Sequence, residues 1–169
     1  MQQRTRQHLT RVYVAGTLES LSTQWGTLST GGTLHVLSAW APACCEGSLR
    51  GEQLEEAEWY AMQAAAQISA VEALHRHVPR AVLACDIDDY EERETVTIDK
   101  KTGISVDSVS GCDVRFNTIA SLHCDDVDLF STPGEITLEA LHERGLLWYD
   151  RTEIDAVLTA WTEHMALQS

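Results

Sequence analysis

Two groups of aspartates have the residue types and spacing to do chemistry in this chain. The first is Asp86, Asp88 and Asp89, which stand where the apolar run Arg80-Ala-Val-Leu-Ala-Cys85 gives out. Carboxylates at alternate positions of a strand project to one side, so Asp86 and Asp88 could share a divalent cation. The second is His123-Cys124-Asp125-Asp126-Val127-Asp128, again behind an apolar run. If the two runs are neighbouring parallel strands, both acidic ends converge on one sheet edge. Asp86, Asp88, Asp125 and Asp126 would then hold magnesium or manganese, as phosphoryl-transfer sites do. Each group also has a plainer reading, and it is the favoured one. Acids at strand ends are commonly solvated. Asp125 also suits a helix N-cap, with Asp126 and Asp128 complementing the dipole. No catalytic residue is assigned and no bound cofactor is expected.

The elements that must position these groups are legible from periodicity. Arg11-Val-Tyr-Val-Ala15 is β-branched and aromatic, the composition of a strand, and Thr17 caps a short helix carrying Leu18, Leu21 and Trp25. Residues 34–40 read as a second strand ended by Pro42, and 47–51 as a loop. Leu54, Ala57, Ala61, Ala64, Ile68, Val71, Leu74 and Val78 step by three or four, which predicts a long helix from Glu52 with those residues inward. Residues 80–88 read as a strand covered on both faces. Strand, helix and strand over 34–88 form a parallel crossover if the strands share a sheet. Residues 95–99 and 104–109 alternate and make a hairpin around Lys100-Lys-Thr-Gly103. Residues 114–123 predict a central strand, 135–144 a helix and 146–149 a last strand. Thr152 with Asp155 suggests a capping box opening a final helix with Ile154, Val157, Leu158, Trp161 and Met165 inward. The expected fold is therefore α/β (α+β): one domain over 11–169 behind a frayed arm at 1–10. It holds a mixed sheet of about six strands, with the long central helix and the C-terminal helix packed on it.

Charge narrows the function. Of 169 residues, 26 are Asp or Glu against 12 Lys or Arg, a net charge of −14. Such a surface repels nucleic-acid phosphates and anionic lipid and attracts basic partners and cations. Neither direct nucleic-acid binding nor a membrane partner is expected, and no run of 18 apolar residues is present. The five cysteines, Cys44, Cys45, Cys85, Cys112 and Cys124, are odd in number and lack a C-x-x-C. They form neither a disulfide framework nor a zinc site, and a reducing cytoplasm suits them. The sequence contains no Walker loop, dinucleotide-binding glycine fingerprint, nucleophile elbow or H-E-x-x-H. His75 and His77, two apart on a helix, face different sides. Trp40, Trp59, Trp148, Tyr149 and Trp161 could form a recognition patch, but aromatics in amphipathic elements are more often core, and the core is expected.

Five pieces in order carry a resemblance. They are Arg11-Val-Tyr-Val-Ala-Gly-Thr17, Glu55-Glu-Ala-Glu-Trp-Tyr-Ala61, Arg80-Ala-Val-Leu-Ala-Cys-Asp86, Ile119-Ala-Ser-Leu-His-Cys-Asp-Asp126 and Leu146-Leu-Trp-Tyr-Asp150. Together they resemble an uncharacterised actinobacterial domain-of-unknown-function family. The resemblance implies a bacterial cytosolic protein and carries over no activity. Three functions remain open: an acidic interaction or regulatory module for a basic protein partner, which is preferred; a metal-dependent phosphoester enzyme; and a small-ligand-binding domain with a pocket between helix and sheet.

Overall fold

The computed structural model describes residues 9–36, 38–43, 51–88, 90–131 and 134–169. Strand β1 (Thr10–Thr17) runs through the middle of the sheet. Helix α1 (Leu18–Ser29) follows without a loop because Thr17 caps it. Thr17 Oγ1 accepts from the Ser20 amide at 3.1 Å, and Ser20 Oγ accepts from the Thr17 amide at 3.0 Å. The reciprocal pair satisfies two amides that the first helical turn would leave open. Leu18, Leu21, Trp25 and Leu28 are buried at helical spacing.

The run at 34–40, expected as one strand, divides into β2 (Thr33–Val36) and β3 (Ala39–Pro42). β3 stays beside β1, with Tyr13 opposite Trp40, whereas β2 leaves to pair with β7 (Cys112–Arg115) in a separate two-stranded ribbon. A short apolar run carries no mark of which neighbour each half will find, so the break was invisible in sequence.

Helix α2 (Glu52–Arg76) begins where expected but is turned about its axis. Its buried residues are Ala61, Ala65, Ala66, Ser69, Ala70 and Ala73, while Ile68 and Val71 of the predicted inward face are 47% and 60% exposed. The side chains beneath explain the rotation. Tyr13, Val82 and Ala84 rise from the sheet into the same core cluster. A bulky ring below leaves room only for alanine above if packing is to stay dense. The seryl hydroxyl of Ser69 donates to the Gly16 carbonyl, and Arg76 forms an ion pair with Glu19, so the helix is tied alongside β1. His77 takes the left-handed conformation at φ 60° and the Val78 amide returns to the Ala73 carbonyl at 3.0 Å, ending α2 before β4 (Arg80–Ile87). β3 and β4 each run antiparallel to β1, so they are parallel to one another and α2 crosses over the strand between them.

β5 (Glu92–Asp99) and β6 (Ile104–Ser110) form the expected hairpin. The run at 114–123 is broken by a 3-10 turn (Phe116–Thr118) into β7 and β8 (Ile119–Cys124). β8 lies next to the edge rather than at the centre. Helix α3 (Leu138–Glu143), capped by Thr137, leads to β9 (Leu147–Asp150). Helix α4 (Ile154–Gln168) closes the chain. Its lead-in cap is Asp150 with Glu153 and not Thr152 with Asp155. Asp150 Oδ2 accepts from the Thr152 amide at 3.0 Å and Glu153 Oε2 from the Asp150 amide at 2.8 Å. Asp155 is thereby left to accept from the Trp25 indole of α1. Ile154, Val157, Leu158 and Trp161 are buried, but Met165 is 40% exposed.

The main sheet has seven strands in the order β5-β6-β3-β1-β4-β8-β9, one more than expected, and every bonded neighbour pair is antiparallel. One face carries Val12, Val14, Leu83 and Cys85 against α1 and α4; the other carries Tyr13 and Val82 against α2. β4 is buried on both faces, as its apolar run implied. The fold is α+β, with the long helix and the C-terminal helix on opposite faces.

Candidate functional site

Antiparallel pairing of β4 with β8 decides the fate of the four aspartates. Ala81 lies opposite Cys124 and Cys85 opposite Ile119. The end of β8 therefore meets the start of β4, and Asp125 and Asp86 stand at opposite ends of the sheet, about 20 Å apart by strand rise. The expected convergence required parallel neighbours and does not form. Among the described residues no three His, Cys, Asp or Glu side chains are grouped as metal ligands would be.

Each group instead meets an arginine or water. Asp125 accepts from Arg80 Nε at 2.9 Å and Nη2 at 2.8 Å, and also from the Arg80 amide at 3.0 Å. Both side chains are essentially sealed, at 2% and 1% exposure. The Asp125 amide returns to the Arg80 carbonyl at 3.2 Å, so two strand ends are locked by four bonds. No helix follows Asp125, which removes the capping reading; Asp126 and Asp128 lie in the turns that follow. Asp86 is held bidentately by Arg11, from Nε at 2.6 Å and Nη2 at 3.0 Å. Asp88 is exposed, and Asp89, Cys44, Cys45 and the loop expected at 47–51 lie largely or wholly outside the described residues.

A polar patch surrounds the Arg11–Asp86 pair on the α2 face. Burial, reinforced by Glu58, pushes the Tyr13 phenol up to about 12. Burial also raises the Glu58 carboxyl, against the pull of Arg11. Burial and then Arg11 lower His123, whose Nε2 is 3.2 Å from Ser121 Oγ. Ser121 is 4% exposed, so the pair is a packed contact of neighbouring side chains on β8 rather than an accessible nucleophile.

The open acidic feature lies just past Asp86, at the same end of β4. A cleft of about 530 Å³ is lined by Asp88, Tyr90, Glu91, Gly111, Asp113 and Arg115, among others. Asp88, Glu91 and Asp113 are all exposed. Gly111 shapes it. With φ at +69° this residue occupies the left-handed region, and a β-carbon there would stand 2.4 Å from the Glu91 side chain. The Glu91 amide is anchored on the Ser110 carbonyl at 3.0 Å, so Glu91 lies across the glycine and into the cleft wall. Sequence reasoning named Asp88 but missed Glu91 and Asp113. Their only signals were a glycine between two strands and the alternation of Cys112-Asp-Val-Arg115. A second, mainly apolar pocket of about 230 Å³ lies between α1 and the sheet, lined by Val14, Gly16, Leu21, Leu34 and Leu83, among others. Of the aromatics, Trp161 is core, whereas Trp59 and Trp148 are half exposed or more.

A family model described as a family of unknown function, DUF6912, matches residues 10–158. No curated protein and no solved structure matches the chain. The chain belongs to DUF6912.

Proposed function

We propose, for this member of a family without an assigned activity, that the chain is a non-catalytic interaction or regulatory module whose acidic face engages a basic protein partner. The observation that carries the reading is the cleft of Asp88, Glu91 and Asp113. Among the described residues Asp88, Glu91 and Asp113 line it together with one arginine, Arg115, and this net acidic lining would attract a lysine or arginine side chain of a partner. The net charge of −14 adds long-range steering toward a basic surface. The reading places the protein in a bacterial cytoplasm, where Cys85, Cys112 and Cys124, all buried and unpaired, would stay reduced. Titration with an oligolysine peptide, followed by amide chemical shifts, tests it. Shifts should centre on residues 87–91 and 111–118 and should vanish in Asp88→Asn/Glu91→Gln/Asp113→Asn. A triple variant that binds as the parent does would refute the cleft.

The pocket between α1 and the sheet favours a second reading, a small-ligand module. A volume of about 230 Å³ with a mostly apolar wall suits a compact apolar ligand. Leu21→Trp should fill it. If indole raises the melting temperature of neither the parent nor this variant, the pocket is idle.

A further inference from the structure

We propose that the ledge beside α2, where β8 and β9 carry the sheet beyond the helix, docks an amphipathic helix of a protein partner. Trp59 and Trp148 are its apolar anchors, and the glutamates at the start of α2 draw the partner's lysines or arginines. The inference rests on the reading that the partner is basic, and it assigns that partner a second surface, separate from the cleft at Gly111.

Strand register places the floor of the ledge. Val82 packs under α2, His123 lies opposite Val82, and Trp148 lies opposite His123. Directly opposed residues of an antiparallel pair project to one face. Trp148 therefore stands on the α2 face of the sheet. Leu146, two residues earlier, packs in the same cluster as Val82, and Asp150, two residues later, shares the face. α2 lies across β1, β3, β4 and β6, so β8 and β9 are outside its cover. Two strands span about 10 Å, and a second layer sits about 10 Å above a sheet. That is about the diameter of one helix.

The wall of the ledge is the side of α2. Trp59 comes seven residues before Ala66 and eleven before Ala70, two and three helical turns, so it lies on their side of the helix. Ala66 shares a cluster with Leu146, and Ala70 packs with Leu129 and Leu141, which lie in the chain between β8 and β9. Trp59 is thus turned toward β8 and β9. It is 52% exposed and Trp148 is 60% exposed. Large apolar rings left in water gain most from being covered, and tryptophan is enriched among the residues that anchor protein interfaces. The Tyr60 ring meets Trp59 edge-on with centroids 5.0 Å apart, which positions Trp59 before a partner arrives.

Charge selects the occupant. Glu52, Glu55 and Glu56 precede Trp59 by seven, four and three residues, share its face and are exposed. At the Asp86 end the floor opens into a hollow of about 350 Å³ lined by Leu9, Asp86 and Asp150, among others. Arg11 at that end is engaged by Asp86. An aromatic ledge with an acidic rim complements a helix that carries large aliphatic side chains on one face and lysine or arginine on its flanks. The same acids repel anionic lipid, which sets a membrane surface aside.

Titration of the full chain with a helical peptide bearing leucine on one face and lysine on the other tests the ledge. Amide shifts should centre on residues 52–63 and 146–150, and tryptophan emission should move to the blue as the rings are covered. Trp59→Ala and Trp148→Ala should each weaken binding roughly tenfold. Both rings are half exposed or more, so the two variants should melt close to the parent. A peptide with serine in place of leucine should bind the parent roughly tenfold more weakly or worse. Asp88→Asn/Glu91→Gln/Asp113→Asn should bind the leucine–lysine peptide as the parent does, and Trp59→Ala/Trp148→Ala should keep the oligolysine shifts at the cleft, so ledge and cleft fail separately. A parent that does not bind the leucine–lysine peptide would overturn the proposal. So would tryptophan variants that bind like the parent, a serine peptide as tight as the leucine one, or shifts confined to 87–91 and 111–118.

Discussion

Asp125 gives both carboxylate oxygens to a guanidinium that no water reaches. A buried ion pair of this kind adds little net stability over an apolar pair, yet losing one partner is costly because the other charge stays buried. Asp125→Asn should therefore cost about 3–5 kcal/mol in urea denaturation. Arg80→Met/Asp125→Leu should recover most of that loss. A single variant within 1 kcal/mol of the parent would contradict the burial argument. His123 makes a pH prediction. Its folded value is lowered below 6.5, so just below pH 6.5 the unfolded chain binds the extra proton. Its contribution is full above pH 6.5 and falls away as pH drops through the folded value. His123→Gln should flatten the decline in stability as pH falls below 6.5. Burial pushes the thiols of Cys85 and Cys124 up to about 12 and that of Cys112 to about 11. All three should resist iodoacetamide in the native state and react once the chain is unfolded, as read by peptide mass.

At the scale of elements, α2 separates the two things periodicity is asked to reveal. Its existence and length were legible in eight apolar residues at helical steps and in Glu52 and Glu55 in the first turn. Its facing was not. Ile68 and Val71 outrank alanine in hydrophobicity, so they define an apparent inward stripe, but contact with Tyr13 and Val82 selects residues by size. Ala65→Leu should cost about 1–3 kcal/mol through overpacking. Ile68→Gln and Val71→Lys should each stay within about 0.5 kcal/mol. The reverse ranking would restore the face expected from sequence. Gly111 couples an element to the candidate site. Gly111→Ala must strain φ and displace Glu91, so it should weaken oligolysine binding as well as lower stability.

For the whole molecule, sheet topology outweighs local composition. Two acidic strand ends looked like one site, and antiparallel pairing put them at opposite ends of the sheet. Millimolar magnesium should accordingly leave the melting temperature unchanged, since a cation bound only by the folded state would raise it. A rise abolished by Asp86→Asn would revive the metal reading. The acidity itself, the hairpin, the cap at Thr17, the apolar run of β4 and the helix–sheet class were set by sequence alone, because each depends on composition or on residues within a turn of one another. The split of residues 34–40 between two sheets, the arginines that Asp86 and Asp125 meet, the rotation of α2 and the gathering of Asp88, Glu91 and Asp113 into one cleft were decided by tertiary structure. Those depend on which distant strand arrives alongside, and long-range pairing leaves no mark in the local period of the chain.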